Sequence, residues 1–317
     1  MYILSTLLPI LLLFLLGAAL RHWKFFSGEF ALQLNRLTFW VLLPCQLVME
    51  ISGAPDVFSG EMFRLALLIL AAGACVIPVA FVARRAFCHD ADLGVFLQGA
   101  LRGNIVYVGL PVVCFHFADN ATVRQAAVLA LALVIPVYNV VSVVLLGLGA
   151  SKRGQPLRQR LVDAGRGLLT NPLILACVAG ILIKVSGISL PLFVGRAMKG
   201  LGNASFAAAL LALGMSFTFS RVGGPMLRAA LFSSALRVFG SPLMGLLLGV
   251  LLRPWLGLSA DLLLVALLFL ATPTAVASFV MAEQMGCDKD LAAAIVLLST
   301  LLSFFALALV LAFGGAV

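Results

Sequence analysis

The chain has 317 residues, of which 63% are hydrophobic and only 10% charged, and its mean hydropathy is +1.18. Soluble domains carry about 25% charged residues and disordered chains are polar, so both classes are excluded. The net charge of +9, from 21 Lys and Arg against 12 Asp and Glu, comes with no basic stripe interleaved with aromatics; it reads as loop charge that orients membrane helices, and no nucleic-acid partner is expected.

What remains is a polytopic membrane protein with the bilayer as its principal partner. Long continuous apolar runs, rather than the alternation of a transmembrane barrel, point to an all-α architecture. The first run covers 3–20. Uncharged Met1 and Tyr2 precede it and Arg21 and Lys24 follow it, which is the reverse of a secretory signal. It is expected to be a retained helix with its N-terminus outside. Further spans are expected near 31–52, 62–84, 92–117, 123–149, 166–185, 195–219, 227–251, 260–284 and 289–313. Ten spans put both termini on one side. With that side outside, cytoplasmic loops hold thirteen of the 21 basic residues and outer loops six; Arg102 and Arg237 fall within spans.

One linker stands out, "SKRGQPLRQRLVDAGRG" at 151–167, basic and midway along the chain. It suggests a first five-helix repeat over 1–150, a cytoplasmic linker over 151–165 and a second five-helix repeat over 166–317. An odd number of spans in each half implies inverted topology. Pro9 and Gly17 are spaced like Pro172 and Gly180, and "LNRLTF" at 34–39 loosely matches "LGNASF" at 201–206. Pro111 in the fourth span and Pro273 in the ninth complete the pattern of an inverted-repeat transporter.

The fourth span carries Gly103, Asn104, Gly109 and Pro111 at mid-depth, and the ninth has Pro273 between Thr272 and Thr274. Proline removes a backbone donor and glycine frees the backbone, so both helices are expected to be interrupted. A lone proline is often only a kink. Two interruptions at corresponding places in two halves instead suggest half-helix ends facing an anion near the midplane.

"LRGNIVYVGLPVV", "NPLILACVAGILIKVSGISLP" at 171–191, "LALGMSF" at 211–217 and "LATPTAVASFVMAEQMGCDKDLAAAIVLLSTLLSF" strongly resemble the auxin efflux carrier family of permeases. The chain resembles its short bacterial members, the malate and malonate permeases, along essentially its whole length. The resemblance implies ten helices in two inverted repeats, with the broken fourth and ninth crossing. It also implies transport of small organic anions such as malate, malonate or auxin-like weak acids, and multi-pass residence in a bacterial inner membrane. Carried over by residue, the crossover falls on Asn104, Gly109, Pro111, Thr272, Pro273 and Thr274, with Gly103 as a further hinge.

Two arginines at membrane depth are functional candidates by their cost alone. Arg102 either meets a substrate carboxylate or snorkels to the cytoplasmic face or pairs with Glu283; the same alternatives stand for Arg237. Asn104 offers donors and an acceptor to an anion or ion, or ties the broken backbone together. Tyr107, Tyr138, Asn139, Ser205 and Ser278 either line a pocket or join helices. We take Asn104, Arg102, Tyr107, Thr272, Thr274 and Ser278 as the substrate-binding set.

The six cysteines are scattered without a C-x-x-C pair, and His22, His89 and His116 have no ligand at metal-binding spacing. No metal and no cofactor is expected. An enzyme is disfavoured, since there is no H-E-x-x-H, no G-x-S-x-G and no paired deep Asp. Alternatives to an organic-anion carrier are a sodium- or proton-coupled symporter of another solute with the same crossover, and an ion channel. A homodimer through apolar helix faces fits the same pattern.

Overall fold

The structure, a computed structural model, describes residues 2–53, 60–149, 170, 172–215 and 224–313. The expected linker at 151–165, Arg221, and Ser216 and Phe217 of the 211–217 motif lie outside the described residues. Every extended element among the described residues is a helix. In chain order they are α1 (Tyr2–His22), α2 (Gly28–Leu37) continuing through a π-helical turn into α3 (Leu43–Ser52), and α4 (Gly60–Phe87). There follow α5 (Leu93–Leu101), α6 (Leu110–His116), α7 (Ala121–Gly149), α8 (Pro172–Ser186) and α9 (Leu192–Met215). The last are α10 (Gly224–Ala235) continuing into α11 (Ser241–Leu251), α12 (Arg253–Leu256), α13 (Ala260–Leu270), α14 (Ala277–Gln284) and α15 (Lys289–Phe313).

Four of these helical stretches are long and apolar enough to cross a membrane: Gly60–Phe87, Ala121–Leu148, Gly224–Leu251 and Lys289–Phe313. Shorter apolar helices include Pro172–Ser186 and Ala260–Leu270. Local signals set their ends. Ser27 caps α2 by accepting from the Phe30 N–H at 3.1 Å. Ser259 caps α13 in the same way, from the Leu262 N–H at 3.3 Å.

Among the described residues three π-helical stretches interrupt the helices: Thr38–Leu42, Ile105–Gly109 and Leu236–Gly240. Each ends two residues before a proline: Pro44, Pro111 or Pro242. A proline has no N–H to give the carbonyl four residues back. The preceding residue instead reaches back five, as the Leu43 N–H does to the Thr38 carbonyl and the Ser241 N–H to that of Leu236. Pro9, Pro78 and Pro136, in contrast, sit inside uninterrupted helices.

The described residues group into two units, and each draws on sequence from both sides of the linker. One unit holds α1, α2, α3, the stretch from Val106 through α6, α7 as far as Ala132, α8 and α9. In it α1 packs on α9 and α3 on α8. A Cβ on Gly17 would collide with the Leu211 carbonyl, and one on Gly214 with that of Phe14, so these backbones touch directly. Within this unit Arg124 donates to the carbonyls of Phe117, at 2.9 Å, and Ala118, just beyond α6. It also stands 3.7 Å from Glu50.

The second unit holds α4 from Phe63, α5 through Ile105, α7 from Leu133, and α10 to α15. Its centre is α5 and α13. Every residue of α5 is buried, as is α13 from Leu264 to Leu270. Two serines of α10 bind neighbouring backbones: Ser233 to the Phe96 carbonyl at 2.8 Å and Ser234 to that of Ile295 at 3.1 Å. In lipid such small polar contacts replace the hydrophobic driving force of a soluble core.

A candidate anion site at the paired helix breaks

Within the second unit α5 stops at Leu101, and Arg102 turns extended at φ −84°, ψ 101°. The other break follows α13, which ends at Leu270; Pro273 offers no N–H there and disfavours helical angles in the residue before it. The two extended segments meet as an antiparallel bridge between Gly103 and Thr274. The Asn104 N–H donates to the Pro273 carbonyl at 2.7 Å, and the Ala275 N–H to the Arg102 carbonyl at 2.9 Å. Non-helical backbone at membrane depth must be satisfied by protein or water; here each break satisfies the other.

Side chains secure the rest. The Thr274 N–H donates to Ser299 Oγ at 2.9 Å, and the Thr274 hydroxyl to the Gly99 carbonyl at 2.8 Å. The Thr272 hydroxyl donates to the Phe269 carbonyl at 2.6 Å. Arg237, on the π-helical stretch before α11, is fully buried. Its Nε donates to the Thr272 carbonyl at 3.0 Å and its Nη1 to that of Leu101 at 2.9 Å. Its Nη2 donates to the Phe269 carbonyl at 2.9 Å and to Thr272 Oγ1 at 3.0 Å. Gly103 is required here, because a Cβ would run into this guanidinium and the Thr272 hydroxyl.

A family model described as membrane transport protein matches residues 2–311. The chain belongs to this family, that of the auxin efflux carriers and permeases. It is thus a multi-pass membrane transporter, in a family of transporters rather than enzymes. No curated protein matches the chain significantly.

In this family member the residues singled out in the sequence divide by position. Arg102, Gly103, Asn104, Thr272, Pro273 and Thr274 converge on the paired breaks. Asn104 is 4% exposed. Both threonine hydroxyls are spent on backbone carbonyls. Ser278 lies one turn further on, in α14; its buried hydroxyl finds no hydrogen-bond partner among the described residues. Gly109 and Pro111 come after the break, at the start of α6, and Tyr107 lies on the π-helical stretch before them. These three belong to the other unit.

The Arg102 side chain turns toward α7 and α14. Its Nη2 donates to Asn139 Oδ1 at 2.7 Å and its Nη1 reaches Met281 Sδ. Gln98, one turn earlier, donates to the same sulfur at 3.9 Å, and its buried Oε1 is unpartnered among the described residues. Neither deep arginine pairs with Glu283, which takes Lys289 at 3.1 Å instead. Sequence reasoning missed Gln98 and the coordination of Arg237. A glutamine four residues before Arg102, on the same helix face, is the signal that could have found the first. The second has no local signal, because its acceptors are main-chain oxygens from distant segments.

Proposed function

We propose that this transporter carries a small organic anion, a mono- or dicarboxylate such as malate, malonate or an auxin-like weak acid, by alternating access. One observation carries the reading. Arg102, beside the paired breaks, binds only the neutral acceptors Asn139 and Met281, with no carboxylate partner among the described residues. An uncompensated guanidinium in the membrane is costly and calls for an anion. A carboxylate there would accept from Arg102 and from the unpartnered Ser278 hydroxyl. Asn104 completes the proposed contact set, while Thr272 and Thr274 shape it through the backbone they hold.

The same reading takes the helical segments as ten spans in two inverted repeats, 1–150 and 166–317, joined by a cytoplasmic linker. Exchange of the halves turns the α1–α9 contact into the α8–α3 contact, and both occur. Gly17 serves the first and Gly180, against Ile51, the second. This supports the repeat, and the odd number of spans in each half supports its inversion. Residence in a bacterial inner membrane with both termini outside, and assembly as a homodimer, belong to the same proposal.

Purified protein in sealed vesicles tests it, with labelled malate, malonate and indole acetate under imposed proton, sodium and voltage gradients. Saturable flux of one acid is expected. Arg102→Ala is expected to reduce it by about tenfold to a hundredfold, as for a lost hydrogen bond to a charged group. Undiminished flux in Arg102→Ala would return this arginine to a structural role. Folded protein that moves none of the acids would overturn the substrate class.

A further inference from the structure

The charge arithmetic around Arg237 carries a second conclusion, which rests on the transporter reading. A helix leaves its last carbonyls unbonded and concentrates about half a negative charge there. Leu101 ends α5 and Phe269 is next to last in α13, and Arg237 binds both carbonyls. Two such ends amount to about one negative charge, which one guanidinium balances. The remaining acceptors are the Thr272 carbonyl, the Thr272 hydroxyl and, at 3.5 Å, the Ser241 hydroxyl. Tyr138 lies against the same guanidinium. No carboxylate joins the set among the described residues.

A cluster of main-chain and hydroxyl oxygens at the C-terminal ends of two interrupted helices is the environment in which carriers bind a sodium ion or a proton. Here a side chain fills it. We infer that Arg237 is a tethered cation: it takes the place of an inorganic cation behind the paired breaks, so that its removal opens a cation site there. Arg237 acts through the backbone it holds and is a positioning residue.

The test compares wild type, Arg237→Ala and Arg237→Lys, purified with millimolar guanidinium present and then exchanged into choline, sodium, potassium or guanidinium chloride. Flux of whichever acid the wild type carries is measured in vesicles, and Tm in detergent. Wild type is expected to give equal flux in all four salts. Arg237→Lys, which keeps the charge, is expected to retain flux without added cation. Arg237→Ala is expected to fall about tenfold in choline, the scale of a lost charged hydrogen bond. It should recover saturably with guanidinium or sodium, and its Tm should rise with the same cation while that of wild type does not. Overturning results are Arg237→Ala at wild-type flux in choline, Arg237→Ala insensitive to every cation in both measurements, or failure of that variant to fold even with guanidinium present. A wild type that itself requires sodium would overturn it too. Should the wild type carry none of the acids, the transport reading fails separately, and the Tm comparison still decides whether a cation fills the place of Arg237.

Discussion

A single hydroxyl shows how tightly the paired breaks are tied. Thr274 is 1% exposed, and its hydroxyl donates to the carbonyl of Gly99, in the last turns of α5. Thr274→Val keeps the shape and removes the donor. A lost buried hydrogen bond costs about 1–3 kcal/mol when the partner is left unsatisfied. We expect Thr274→Val to lower Tm by that equivalent while Thr274→Ser holds it near wild type. An unchanged Tm in the valine variant would mean that this bond does not help hold the break together. Gly103 works by absence: it leaves room for the guanidinium that any Cβ would strike. Such roles are invisible in composition, because what matters is the distance to a partner from a remote segment.

The elements were legible where a continuous stretch of chain determines them. Apolar runs gave spans close to the observed helices, and Gly103, Asn104 and Pro273 marked both interruptions. The exact place of the first break was less legible, since Pro111 lies past it, at the start of α6. The extended segment runs over Arg102 to Asn104 because the opposite break supplies its hydrogen bonds, which no local pattern encodes. Arg237 is the clearest case: the Leu101 carbonyl that it binds lies 136 residues away in sequence. The π-helical stretch that precedes Pro242 carries Arg237. Restoring an N–H at that position favours an ordinary α-helix, which would rotate Arg237 off its carbonyls. Lost hydrogen bonds to a charged group cost about 1.5–3 kcal/mol each, so Pro242→Ala is expected to lower Tm and flux together. A variant with both properties unchanged would show that the π-helical stretch does not depend on the proline.

At the scale of the whole molecule, the proposed inverted relation rests on parity. Five spans before the linker and five after it would oppose the two halves and return the C-terminus to the side of the N-terminus. The basic residues choose the side: thirteen of 21 fall in loops that become cytoplasmic if both termini are outside. Fusions read this directly in bacteria, because alkaline phosphatase is active only outside the cytoplasm and green fluorescent protein exported through the same route is dark. A phosphatase fused after residue 313 is expected to be active and a fluorescent protein there dark. Fusions truncated at 158, within the basic linker, should give the opposite pair. Reversal at both positions would turn the molecule over and keep the repeat. Agreement between the two positions would put an even number of crossings between them. The halves would then run parallel, and the correspondence of the α1–α9 and α8–α3 contacts would reflect a parallel repeat. The charge bias and the parity of the spans are independent observations, and the two fusion sites test them separately: the sign of the signal reads the first, and its alternation reads the second.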